Sequence, residues 1–207
     1  MSTAVKICGI TRIEDALTAA RCGAHAIGLV FYRPSPRFIE PDAAAEIVRA
    51  LPPFVTPVGL FVDAAEGEVR ESAARSGVRL LQFHGAESAD FCARFALPYM
   101  KAVRVKPGID LLQYARDFSG AKALLLDAFQ EGLHGGTGAV FDWSLIPPSL
   151  PLPIVLSGGL TPDNVSAAVR RVKPCAVDVS SGVEASRGMK DPAKIAAFIQ
   201  GVHDADV

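Results

Sequence analysis

The 207-residue chain is short of several features that mark common protein classes. Its four cysteines (Cys8, Cys22, Cys92 and Cys175) are scattered and form no CxxC pair. That argues against a zinc knuckle and a disulfide scaffold, and points to a reducing, cytoplasmic setting. No apolar run reaches the ~18 residues a membrane span needs. The opening MSTAVKICGIT lacks the basic and long apolar regions of a signal peptide. There is no excess charge of either sign: 21 basic residues stand against 22 acidic ones. Nucleic acid and membrane are therefore not expected partners, and any bound anion must be gripped locally. No linker, low-complexity tract or composition shift divides the chain, so a single domain is expected over 1–207.

Half the residues are apolar and 21% are charged, enough for a sizeable core. Short β-rich runs recur at 4–10, 26–31, 56–62, 78–85, 98–105, 121–128, 152–159 and 175–182. Most are continuously apolar rather than alternating, the pattern of parallel strands buried on both faces. Helical patterns separate them at 11–23, 41–51, 67–77, 88–95, 109–118, 162–172 and 191–203. In the first, Thr11 is the expected N-cap, Glu14 closes a capping box and Gly23 stops the helix. After strand six comes mostly loop, with a short helical piece at 142–146.

Eight βα units in 207 residues give about 26 residues each, near the lower bound for a (β/α)8 TIM barrel with short loops. A doubly wound open sheet is the alternative. It usually carries a GxGxxG turn after strand one, where this chain reads Cys8-Gly9-Ile10-Thr11. The barrel is preferred, with function on the loops after the strands.

Strand seven ends Ser157-Gly158-Gly159, and strand eight ends Ser180-Ser181-Gly182-Val183-Glu184. Two adjacent glycine-bearing strand ends suit a phosphate, because glycine lets an oxygen approach backbone N–H groups. Cys8 ends strand one, and period-two alternation puts Lys6 on its face. A nearby ammonium is expected to lower the thiol pKa, although a buried cysteine is often just a small hydrophobe. Asp63, Asp127 and Asp178 are acids at or near strand ends, and spacing does not choose among them. Arg37, in the proline-stiffened loop 32–37, could hold a carboxylate bidentately or simply face solvent. His84 ends strand four as a base, a ligand or a satisfied strand-end residue. Gly135-Gly136-Thr137-Gly138 reads equally as a lid or an anion-cradling turn. No cluster has metal-ligand spacing.

These motifs, in this order, resemble the phosphoribosylanthranilate isomerase family of tryptophan synthesis. The likeness begins at Lys6-Ile7-Cys8-Gly9-Ile10-Thr11 and continues through Gly28-Leu29-Val30-Phe31, Ser35-Pro36-Arg37, Val58 to Val62 and Leu81 to Gly85. It runs on through Leu126-Asp127, Gly135 to Gly138, Phe141-Asp142-Trp143, Ser157 to Leu160 and Asp178 to Glu184. The resemblance implies a (β/α)8 barrel that uses neither metal nor cofactor. It implies Cys8 as general base, Asp127 as general acid and Arg37 as the partner of the anthranilate carboxylate. The ligand contacts it implies further are Gly136, Thr137, Gly138, Gly158, Gly159, Asp178, Ser180, Ser181 and Gly182. The implied reaction is an Amadori rearrangement of a small phosphorylated N-aryl ribosylamine. A related isomerase of histidine synthesis would carry an aspartate where Cys8 stands. Indole-glycerol-phosphate synthase would need a longer N-terminus. A phosphosugar-binding module without activity would be expected to lack the acid or the base.

Overall fold

The computed structural model describes residues 2–128 and 142–206. Eight parallel strands close a barrel in chain order. They are β1 (Ala4–Cys8), β2 (Ala26–Val30), β3 (Thr56–Phe61), β4 (Leu80–Phe83), β5 (Tyr99–Val105), β6 (Ala123–Ala128), β7 (Ile154–Leu156) and β8 (Ala176–Val179). Helices between them are α1 (Ile13–Cys22), α2 (Pro41–Ala50), α3 (Glu66–Ser76), α4 (Ala89–Cys92), α5 (Leu111–Asp117) and α6 (Val165–Val172), and α7 (Pro192–His203) ends the series. The seam is β1 against β8, with Lys6 opposite Asp178 and Ile7 opposite Val179. Among the described residues no helix is long and apolar enough to cross a membrane.

The continuous apolar runs are explained by burial on both faces. Side chains such as Val5, Ile7, Ile27, Leu124 and Leu126 point outward into the layer beneath the helices. Alternate residues, among them Val58, Met100, Ala102, Leu125 and Val155, form a separate cluster filling the barrel. Toward the C-terminal ends of the strands this filling gives way to Lys6, Gln82, Asp127 and Asp178, all buried. The barrel is thus apolar below and charged above, which sets the chemistry at one rim.

The start of α1 departs from the expected cap. Thr11 does not cap α1. Its hydroxyl donates to the Gly188 carbonyl at 2.7 Å, and Arg12 takes the cap position with no side-chain cap bond, so no capping box forms. Arg12 instead grips Asp15 through two hydrogen bonds of 3.1 and 2.6 Å. Gly23 does stop the helix, at a left-handed φ of 101°. A hairpin of β9 (Glu184–Ser186) and β10 (Met189–Lys190) follows β8. The short helical piece appears as a 3-10 turn at Trp143–Leu145, capped by Asp142.

Candidate active site

Cys8 lies at the C-terminal end of β1, opposite Gly28 of β2. A Cβ at Gly28 would sit 2.6 Å from the Cys8 sulfur and 3.1 Å from Lys6 Nζ. The missing side chain therefore makes room for thiol and ammonium together. Lys6 Nζ lies 2.7 Å from Asp178 Oδ1, with both side chains buried. Burial works against the Lys6 ammonium, but Asp178 and Cys8 outweigh it and hold the amine above its usual value. Lys6 pulls the Cys8 thiol down as expected, but the expected net lowering is not met. Burial, the largest influence, pushes the thiol up; Lys6 and Lys190 pull it down, Asp178 pushes it up, and the balance stays above the ordinary value.

The three candidate acids separate. Asp63 turns away, adopting φ 49° and accepting from the Ala86 N–H at 2.6 Å. Asp127 and Asp178 converge on one pocket with Cys8, Arg37, Gln82, His84, Ser157 and Ser180. Asp127 is only 4% exposed. The Gln82 amide nitrogen lies 2.9 Å from His84 Nδ1, and His84 Nε2 lies 3.1 Å from Asp127 Oδ2, so the ring bridges Gln82 and Asp127. The Ala128 N–H donates to the other Asp127 oxygen at 2.9 Å. The Ser157 hydroxyl donates to Asp178 at 3.3 Å. His84 thus orients Asp127, a role that residue spacing left open.

A second, contiguous cavity is lined by the ends of β7 and β8: Gly158, Gly159, Leu160, Ser181 and Gly182. It shares Asp127, Ser157, Asp178 and Ser180 with the first, so one ligand can span both. Gly158 and Gly159 have φ of 83° and 66°, conformations that side chains resist. A Cβ at Gly182 would fall 1.9 Å from the Leu160 carbonyl oxygen. Asn164 braces the turn by donating to the Gly159 carbonyl and accepting from the Thr161 N–H, both at 2.9 Å. Gly136, Thr137 and Gly138 lie outside the described residues.

Arg37 reaches the same rim across Gly9, where a Cβ would stand 2.4 Å from the arginine Cδ. It is not free: Nε and Nη2 donate to the two Glu184 oxygens at 2.7 and 2.9 Å. Lys190 Nζ joins Glu184 at 2.9 Å. Burial works against the Glu184 carboxylate, but Arg37 and Lys190 hold it below its ordinary value. In the sequence Glu184 closes the Asp178 to Glu184 motif without an assigned role, and Lys190 stands outside every motif. The usable signal was Gly188 between a Glu and a Lys six residues apart, which reads as a tight hairpin.

Volume does not pick out this site. Larger cavities, of about 690 and 710 Å³, open beyond His84 toward α5 and at the opposite end of the barrel beside Trp143. Among the described residues no group of three or more His, Cys, Asp or Glu side chains could hold a metal ion. Cys92 is buried, its thiol pushed up to about 12 chiefly by burial, and it plays no part at the rim.

Fold and rim together define a (β/α)8 barrel of the enzyme type, with thiol, carboxyl and guanidinium groups gathered beside a glycine-lined cavity at the C-terminal ends of its strands. The family model for N-(5'-phosphoribosyl)anthranilate (PRA) isomerase matches residues 5–201. The chain is 59% identical to N-(5'-phosphoribosyl)anthranilate isomerase of Nitrosospira multiformis, covering 98% of this chain and 97% of that protein. With the same enzyme of Dechloromonas aromatica it shares 58% identity over 100% of this chain and 99% of the relative. Among solved structures, phosphoribosyl anthranilate isomerase from Thermotoga maritima superposes with a TM-score of 0.89 at 40% identity, over 98% of this chain and 99% of that one. A phosphoribosyl anthranilate isomerase holding reduced 1-(o-carboxyphenylamino)-1-deoxyribulose 5-phosphate gives a TM-score of 0.85 at 40% identity, over the same 98% and 99%. The chain belongs to the phosphoribosylanthranilate isomerase family.

Proposed function

We propose that this enzyme converts N-(5'-phosphoribosyl)anthranilate to 1-(2-carboxyphenylamino)-1-deoxyribulose 5-phosphate, the third step of tryptophan synthesis from chorismate. Asp127 protonates the furanose ring oxygen, and the ring opens to a Schiff base. Cys8, as thiolate, removes the C2 proton, and the enolamine tautomerises to the ketone. The iminium is the electron sink, so the rearrangement calls for no cofactor. The iminium also brings positive charge toward Cys8, which favours the thiolate that burial disfavours in the free protein. Acid and base of this kind each contribute roughly 10²–10⁴ in rate.

In this reading the phosphate binds at Gly158, Gly159, Ser181 and Gly182, with Ser180 beside it and Gly136 to Gly138 contributing. Arg37 takes the anthranilate carboxylate, and Asp178 lies beneath the sugar, holding Lys6 next to Cys8. The observation that carries the reading is the convergence of Cys8, Asp127 and Arg37 on one pocket continuous with the glycine-lined cavity. The chain works as one barrel domain over 1–207, in the cytoplasm, on a small phosphorylated substrate. The test is the loss of anthranilate-type fluorescence when freshly generated substrate meets the purified protein. No turnover by folded protein overturns the proposal.

A further inference from the structure

We propose that Glu184, delivered with Lys190 by the β9–β10 hairpin, is a specificity-determining positioning residue that fixes which edge of Arg37 meets the ligand's carboxylate. The proposal rests on the reading of Arg37 as the carboxylate partner.

A guanidinium offers two bidentate edges, Nε with Nη2 and Nη1 with Nη2. Glu184 occupies the first edge completely, at 2.7 and 2.9 Å. Only the Nη1/Nη2 edge is left for a second carboxylate. Lys190 cannot compete for that ligand, because its ammonium is spent on Glu184 at 2.9 Å and on the Ser180 carbonyl and hydroxyl at 3.0 and 3.4 Å. Two cations against one anion leave a single net positive charge, enough to balance one carboxylate.

The hairpin is built to hold this arrangement. Its register places Lys190 opposite Glu184. The Gly188 turn receives the Thr11 hydroxyl at 2.7 Å, and a Cβ there would stand 3.3 Å from the Pro36 carbonyl of the Arg37 loop. The Lys190 N–H donates to Asp15 of α1 at 3.1 Å, and Lys194 of α7 donates to the Glu184 carbonyl at 2.8 Å. Arg37 is thus presented as a fixed fork, and ligands that lack a carboxylate gain nothing from it.

The test compares two competitive inhibitors: reduced 1-(o-carboxyphenylamino)-1-deoxyribulose 5-phosphate and the same compound without its carboxyl group. Glu184→Gln should weaken the first by about tenfold or more, the scale of a charge-assisted pair, and the second by less than twofold. Equal weakening of both, or of neither, overturns the proposal. Arg37→Ala is measured with the same pair. If it fails to discriminate between the inhibitors, the reading of Arg37 is wrong, and the proposal falls with it. If it discriminates while Glu184→Gln does not, Arg37 stands and Glu184 is structural only. Should Glu184→Gln not fold, Glu184→Gln/Lys190→Met removes the buried lone ammonium and must show the same discrimination.

Discussion

Lys6 and Asp178 are register partners across the barrel seam, and their side chains meet at 2.7 Å inside it. Replacing Lys6 by Met leaves a buried carboxylate unpaired, at an expected cost of about 3–5 kcal/mol in denaturant unfolding. An unchanged midpoint and slope would show that the pair contributes nothing.

The Cys8 thiol stands above its ordinary value, chiefly because it is buried. The reactive form is the thiolate, whose fraction grows with pH. So the rate at which a small alkylating reagent modifies Cys8 in the free enzyme should climb through neutrality and level off only above pH about 8.5, the free thiol value. A plateau already reached below neutrality would contradict this. Cys8→Ser should lower kcat by about 10² or more. Near-normal turnover by a folded Cys8→Ala variant would remove Cys8 from the mechanism.

Asp127→Asn keeps the shape of the side chain and its place beside His84 but has no acidic proton to give. Its kcat should fall by about 10² or more at the ring-opening step. A substrate analogue supplied as the open Schiff base should partly restore Asp127→Asn and leave Cys8→Ser inactive. Equal rescue of both would mean that the two residues do not act on separate steps.

Gly28→Ala places a methyl group 2.6 Å from the Cys8 sulfur. Overpacking should cost about 1–3 kcal/mol of stability, and displacement of the thiol should depress kcat more than it raises KM. Wild-type stability and kcat together would show that the contact relaxes at no expense.

The phosphate end is tested separately. Inorganic phosphate should compete with substrate, and Gly159→Asp should abolish that competition by charge and bulk. Retention of wild-type KM by this variant would locate the phosphate elsewhere.

The barrel was legible because each strand is buried on both faces and so reads as an apolar run. Those runs extend past the strands at several ends, since buried rim residues look the same in sequence as strand residues. Ser157-Gly158-Gly159 follows β7 in this way and turns through two positive φ values. Residue types at strand ends exposed Cys8, Arg37 and three acids; the family resemblance pointed to Asp127, while the fold turns Asp63 away and keeps Asp127 and Asp178 in one pocket. The thiol's net direction of shift is not legible in sequence, because alternation shows that Lys6 shares a face with Cys8 but not that both are buried beside a carboxylate. Thr11 made the same kind of trap: its local signal for a cap lost to the Gly188 carbonyl, 177 residues away in sequence.

The ion pair at the seam joins residues 172 positions apart. Neighbouring βα units can pair over short loops, but β1 meets β8 only by the longest ring closure in the chain, with the greatest entropy cost. The environment of Cys8 exists only once that ring is shut, since Lys6 and Asp178 arrive from opposite ends. Turnover therefore reports closure itself. A chain with every helix formed and the seam open would give a near-native helical signal and no product, and recovery of activity during refolding should trail recovery of helicity.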